Sequence, residues 1–307
     1  MPFLVAGLVA LAAILLYRTL SRYSIDRITT SVMAIPPGRL ASAGAFAAAS
    51  YVCLTCFDWL ALRYVGRPLP YRKAALASFV SLSLGHNIGF AGLSSGAIRY
   101  RFYSRWGLGA GDVARMMLFC GTTVGLGLIL LAGIALLARG DLAMAITGLG
   151  RPAIAGLGVF CFALATAYVA AAWMRCRIRI GGAAVEMPSM RLVMSQLLIG
   201  PLNFACVAGC LHETLAAVAG TPYLGVASVY VIANLTSIIS HVPGGLGVIE
   251  SVVTFLLPAA NVIGAVLTFR FLYFLVPLTL GSALFAVAEI IFRRRGKPSS
   301  GHPKTLP

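Results

Sequence analysis

An all-α polytopic membrane protein is the fold class this sequence predicts, and three observations carry the expectation. Hydrophobic residues make up 60% of the 307 and charged ones only 10%, far from the roughly 25% charged of soluble domains. The mean hydropathy is +0.93. Apolar runs follow one another with short polar connections that leave no room for a soluble domain. Residues 1–292 are therefore expected to form one helical membrane domain, and 293–307 a basic, disordered cytoplasmic tail.

Taken in order, six runs are long enough to span: residues 3–20, 40–62, 116–138, 152–174, 192–211 and 261–292. The first has no basic residue before its apolar stretch and no small-residue cleavage site after it, which reads as a span and not a removable signal. Two further apolar regions are interrupted. Residues 74–98 hold a short apolar run and then Gly85, Gly89, Gly92, Ser94, Ser95 and Gly96, whereas residues 223–260 break at Pro243-Gly244-Gly245. Apolar runs of about 10 to 14 residues suit re-entrant segments better than spans, so both regions are expected to be helical hairpins. Backbone that leaves the helix at membrane depth survives only where protein or water surrounds it.

Lys and Arg outnumber Asp and Glu by 24 to 8. With both interruptions as hairpins and the N-terminus inside, seventeen Lys and Arg fall in 63–73, 99–115, 175–191 and the tail, against six in 18–39, 139–151 and 212–222. That asymmetry places the C-terminus in the cytoplasm. Taking 74–98 as one full span with the N-terminus outside gives the same totals, so charge leaves the N-terminal orientation open. Anionic lipid is the natural partner, each basic residue near a charged leaflet gaining about 1 kcal/mol. Nucleic acid is not expected, because the charges are spread over short loops and form no single stripe with aromatics. The seven cysteines sit in apolar segments and suggest packing, not a disulfide framework. Neither Cys53 with Cys56 nor the group Cys206, Cys210, His212 and Glu213 is read as a redox or metal site, and no cofactor is expected.

The most specific signature is His241-Val242-Pro243-Gly244-Gly245-Leu246-Gly247-Val248-Ile249-Glu250, a helix-breaking turn followed by a carboxylate. Gly96-Ala97-Ile98-Arg99 echoes Gly247-Val248-Ile249-Glu250 with the charge reversed, and His86 and His241 lie upstream of the two. Opposed interrupted segments point to an inverted repeat and a transporter's midplane site, although four residues are also within reach of chance.

Gly85-His86-Asn87-Ile88-Gly89-Phe90 and Ser95-Gly96-Ala97-Ile98-Arg99-Tyr100-Arg101-Phe102-Tyr103-Ser104-Arg105-Trp106-Gly107-Leu108, taken with the 241–250 segment, carry a family likeness. They resemble the flippase-like transmembrane region of lysylphosphatidylglycerol synthases and the related stand-alone family of uncharacterised inner-membrane proteins, and the likeness covers nearly the whole chain. The resemblance implies a bacterial inner-membrane location and a role in moving or organising phospholipids, including aminoacylated phosphatidylglycerol in the bifunctional members. Those members carry further spans and a soluble aminoacyl-transfer domain after this region. No counterpart occurs in these 307 residues, so the synthase reaction is not expected and the lysyl-lipid substrate stays open.

Arg99, Arg101 and Arg105 surround Tyr100, Tyr103 and Trp106 at the edge of a span. A guanidinium fork suits phosphate and the aromatics suit the headgroup level. Arg99 and Arg101 are expected to hold lipid phosphate, with Tyr100 beside them; Arg105 is either a further headgroup contact or an ordinary anchor. Glu250 falls several residues beyond the turn, where a charge costs about 2.5–3.5 kcal/mol unless paired or hydrated. Arg270 lies some 13 Å into the last span at about 1.5 Å per residue. The two are expected to meet, either as a structural salt bridge or as a gate that exchanges partners with a headgroup. With both hairpins meeting near the midplane, Glu250 is expected to receive the cationic part of a headgroup whose phosphate Arg99 and Arg101 hold, or to pair with Arg270. His86, Asn87, Asn234 and His241 are either interhelical hydrogen-bonding groups or cavity lining, with Gly96, Pro243, Gly244, Gly245 and Gly247 shaping the hairpins. Gln196 and Asn203, seven apart, share a helical face and are read as able to line the same cavity. Asp58, beside Trp59 near a span end, is read as interfacial.

Enzyme chemistry is not expected. Gly92-Leu93-Ser94-Ser95-Gly96 matches G-x-S-x-G, but that motif works at a strand-to-helix turn; His212-Glu213 lacks a zincin's second His because position 216 is Ala. No phosphate-binding G-x-x-x-x-G-K-[ST] occurs, so transport would be passive or ion-coupled. The leading expectation is a protein that translocates phospholipid or helps to transport it. The alternatives are a non-transporting, lipid-binding partner of a separate lipid-modifying enzyme, and an intramembrane serine hydrolase using Ser94 with His86 or His241.

Overall fold

The computed structural model describes residues 25–88, 91–180, 183–240, 242, 245–257 and 262–295. The expected span at 3–20 and residues 296–307 of the tail lie outside them.

A short helix, α1 (Ile25–Met33), leads into α2 (Pro37–Tyr64). Proline suits the first turn of α2, where its missing N–H would have no partner anyway. Helices α3 (Tyr71–Ile88) and α4 (Ala91–Ser104) pack against each other as a hairpin, followed by α5 (Ala110–Ala138), the short α6 (Gly140–Thr147) and α7 (Arg151–Trp173). Strands β1 (Arg177–Ile180) and β2 (Ala183–Glu186) pair antiparallel, Arg177 opposite Glu186, in a connection not expected to contain sheet. Then come α8 (Met190–Leu215), α9 (Tyr223–Ser240) and α10 (Val248–Leu256). Helix α11 (Val262–Arg270), a π-helical turn (Phe271–Leu275) and α12 (Val276–Arg295) form one continuous rod. The rod runs three residues into the segment expected to be tail.

Contacts between helix ends establish which termini share a side. Arg39 reaches Glu213 at 3.5 Å, joining the start of α2 to the end of α8. At the other end, the Tyr64 hydroxyl donates to the Glu186 carbonyl at 2.7 Å and its ring stacks on Phe119 at 5.2 Å. Lys73 lies 5.4 Å over the Trp106 ring, so α3 begins where α4 ends. Residues 74–98 are therefore no single span but two arms of a hairpin. Gly225 lies beside Arg139, and Gly264 beside Ser31, so α9 and α11 both start on the opposite side. The α9–α10 hairpin enters from there.

Five of the six expected spans thus have a described counterpart in α2, α5, α7, α8 and the rod, each long and apolar enough to cross a membrane. Helix α9 also meets that measure by length and composition, where the sequence suggested only a re-entrant arm. Its 18 residues rise about 27 Å, just short of a hydrocarbon core of about 30 Å, and the chain then turns back. The break in the first hairpin is also shorter than expected. Gly92 to Gly96 are helical, because α4 starts at Ala91 and its small residues let the arms close: a Cβ on Gly85 would fall 2.8 Å from that of Ser95.

Candidate functional site

Among the described residues, charges buried inside the bundle collect into three clusters, each built on a hairpin helix and a long span. In the first, Asp58 of α2 accepts from Arg99 of α4 in side-on fork geometry, Nε at 3.0 and 3.2 Å and Nη2 at 2.9 Å. Tyr103, one turn further along α4, donates its hydroxyl to the same carboxylate at 2.9 Å, and Cys120 of α5 lies 3.7 Å away. Arg99 also donates to Ser95 at 3.0 Å. The Asp58 side chain is fully buried and that of Arg99 is 6% exposed. Asp58 is therefore not interfacial, as its Trp59 neighbour suggested; an unpaired carboxylate is so costly there that only the fork of Arg99 makes the position tenable.

The second cluster lies near the end of α4. Glu289 of α12 accepts from Arg101, Nε at 3.3 Å and Nη2 at 2.7 Å, and from Arg105 Nη2 at 3.2 Å to both oxygens. Spacing of four residues puts both guanidiniums on one face of the helix. Arg105 stacks over Phe292 at 4.5 Å, and Trp106 and Phe102 pack on the same ring at 6.3 and 6.1 Å. Tyr100 points away from this group, 46% exposed. Glu289 went unremarked in the sequence, though it is the one acidic residue in the 261–292 run, and that alone is a signal of function or pairing.

The third cluster brings Glu250 and Arg270 together. Arg270 Nε bonds Glu250 Oε1, and its Nη2 donates to Oε2 at 2.8 Å and to the Gly245 carbonyl at 2.5 Å. Glu250 also accepts from the Gly247 amide at 2.9 Å, capping the helix it starts. Gly245 and Gly247 hold φ of +58° and +83°, a conformation only glycine adopts without strain. His241, Pro243 and Gly244 lie outside the described residues. Arg270 stacks over Phe274 at 5.4 Å, and His86 at the tip of the first hairpin meets the same ring at 6.5 Å. Both hairpin tips therefore converge on the π-helical turn.

Other candidates resolve locally. Asn87 donates to the Ser83 carbonyl at 2.9 Å and Asn234 to the Tyr230 hydroxyl at 3.1 Å, each within its own helix. His86 Nδ1 is buried with no partner among the described residues. Gly96 packs against Met117. Gln196 bonds Thr123 and Tyr168 at 2.9 and 2.8 Å, whereas Asn203 accepts from Ser50 at 2.8 Å, so the pair serves two different helix contacts and not one cavity. Ser50 also meets the Tyr273 hydroxyl at 2.9 Å, which places a polar network beside the π-helical turn. Ser94 bonds the Gly85 carbonyl at 3.3 Å. No group of three or more His, Cys, Asp or Glu that could hold a metal occurs among the described residues.

The three clusters do not form one headgroup site. Arg270 and Glu289 are nineteen residues apart on one rod, about 28 Å at 1.5 Å per residue. A headgroup held by Arg101 is therefore out of reach of Glu250, and the expectation of one site joining them is corrected to two levels, one near the hairpin tips and one near the basic end.

No family model matches the chain. The uncharacterized protein slr0712 of Synechocystis sp. is 30% identical over 281 residues, covering 90% of this chain and 87% of the relative. Inner membrane protein YbhN of Escherichia coli is 29% identical over 269 residues, covering 81% of this chain and 80% of the relative.

Proposed function

We propose that this chain, which belongs to the family of the uncharacterized protein slr0712, is a multi-pass inner-membrane protein that moves phospholipid between leaflets or assists such movement. The observation that carries the proposal is the arrangement of its buried charges. Two hairpins enter from opposite sides, their tips meet at a π-helical turn, and one charge cluster stands at the tips and another at the basic end. Discontinuous helices meeting at mid-depth are a recurrent way to build a transport site, and π-helical turns favour functional positions. In this reading Arg101 and Arg105 receive the lipid phosphate, the Glu250–Arg270 pair gates passage at the tips, and no covalent chemistry is involved. The bundle end holding Arg63, Arg72, Lys73, Arg101 and Arg105 faces the cytoplasm, as does the C-terminus.

A second reading is favoured by one observation: each of the four arginines already has a carboxylate. A non-transporting scaffold that binds lipid beside a lipid-modifying enzyme needs no more. Reconstitution into liposomes with labelled phospholipids separates the two. Transport predicts headgroup movement well above that in empty liposomes, lowered about tenfold or more by Glu250→Gln, the loss of a gate worth about 1.4 kcal/mol or more. Movement no faster than in empty liposomes, across several lipids and with a proton gradient, leaves the scaffold.

A further inference from the structure

The Glu289 cluster differs from the other two in three respects that together suggest a use. One carboxylate is shared by two guanidiniums, so the group keeps a net positive charge. Exposure is graded across it, with the Glu289 side chain 7% exposed, Arg101 14% and Arg105 31%. Its floor is aromatic, formed by Phe102, Trp106 and Phe292, and Lys73 lies over the Trp106 ring. Aromatic rings of this kind settle at the headgroup level of a bilayer.

The geometry of the carboxylate is the informative part. Its two oxygens accept a parallel pair of bonds from Arg101 and a bifurcated one from Arg105. The two non-bridging oxygens of a phosphodiester can accept from the same donors. We propose that Glu289 is a built-in competitor for an anionic phospholipid, occupying the phosphate position of an Arg101–Arg105 site when no lipid is bound. Arg105, the more exposed, turns from Glu289 to the incoming phosphate while Arg101 stays held. The carboxylate thereby weakens binding, so that a lipid can leave, and it disfavours occupancy by free anions lacking an acyl chain to rest on the aromatic floor. This inference deepens the lipid-handling proposal by naming the ligand as a net-negative phosphodiester lipid and Glu289 as the residue that sets its affinity. Asp58 is no such competitor: it is fully buried, and Arg99 has no exposed face to offer.

The test is lipid binding by the full-length protein in detergent, read by native mass spectrometry with dioleoyl phosphatidylglycerol and dioleoyl phosphatidylethanolamine. Glu289→Gln keeps the shape and removes the charge; it is expected to bind phosphatidylglycerol about fivefold more tightly, the equivalent of about 1 kcal/mol for one charge at an anionic headgroup, with a smaller gain for phosphatidylethanolamine, whose phosphodiester loses a competitor while its ammonium loses a counter-charge. Adding Arg105→Ala should erase the gain. Glu289→Asp, which keeps the charge but retracts it by one methylene, should give a smaller gain and serves if the Gln variant does not fold. Unchanged or weaker phosphatidylglycerol binding overturns the proposal, as does an equal gain for both lipids. Inorganic phosphate in the same titration separates the sources of the anion: displacement of lipid at equal concentration would make this a free-phosphate site and overturn the lipid assignment. Because binding is measured without movement, a tighter Glu289→Gln variant in a protein that moves no lipid would sink the transport reading and leave this one standing.

Discussion

At the residue scale the contrast between Asp58 and Glu250 shows what a one-dimensional reading sees. Glu250 and Arg270 were legible as a pair because both stand out as charges in apolar sequence and only twenty residues separate them. Asp58 and its partner are 41 residues apart, on α2 and α4, and nothing local to Asp58 says whether it faces lipid headgroups or the bundle interior. The same blindness hid Glu289, whose partners are 184 and 188 residues away. Burial makes Asp58 a site where stability is at stake. Asp58→Ala is expected to cost about 3–5 kcal/mol, because it strands the Arg99 guanidinium without a counter-charge. Replacing both, as Asp58→Leu with Arg99→Met, should recover most of that loss, since a well-packed apolar pair often substitutes for a buried ion pair at little cost. Chemical denaturation in detergent measures both. A double variant as unstable as the single one would show that Asp58 does more than balance Arg99.

At the element scale, the hairpins were legible from glycine and proline, whereas charge alone allowed 74–98 to be a hairpin or a full span and the helix-end contacts were needed to choose. The π-helical turn was not, because a π-turn has no composition of its own: Phe271-Leu272-Tyr273-Phe274-Leu275 reads as any apolar stretch. It amounts to one residue more than an α-helix needs over the same rotation, and that predicts a sharp asymmetry. Deleting Leu272 should let the rod close into an unbroken α-helix, with Arg270 and Glu289 still facing their partners. Deleting Leu280, a lipid-facing residue of α12, turns everything beyond it by about 100° and swings Glu289 away from Arg101. The first variant should stay monodisperse in detergent within a few degrees of the parent's melting temperature; the second should aggregate. Equal tolerance of both deletions would remove the argument that the turn is a spare residue.

At the scale of the whole molecule, the fold class and the two-sided hairpin plan were readable from hydropathy, charge and the Gly-rich breaks. The spacing of the clusters was not, since it depends on which helices cross where. The orientation proposed from the basic end is checked by cysteine labelling of intact cells. Ser104→Cys, exposed at the end of α4, should react only after the membrane is opened, and Leu149→Cys, exposed between α6 and α7, should react from outside. The reverse pattern would invert the proposed topology. The long reach of the ion pairs also has a meaning during synthesis. At about 5–20 residues per second, Glu250 waits about 1–4 s for Arg270, whereas Arg101 waits about 10–40 s for Glu289. For that interval the first hairpin carries positive charge that has no carboxylate to meet. Lipid headgroups are the counter-charge those arginines can use meanwhile, and the contacts that fix the end of the hairpin to Glu289 form only after α12 has left the ribosome.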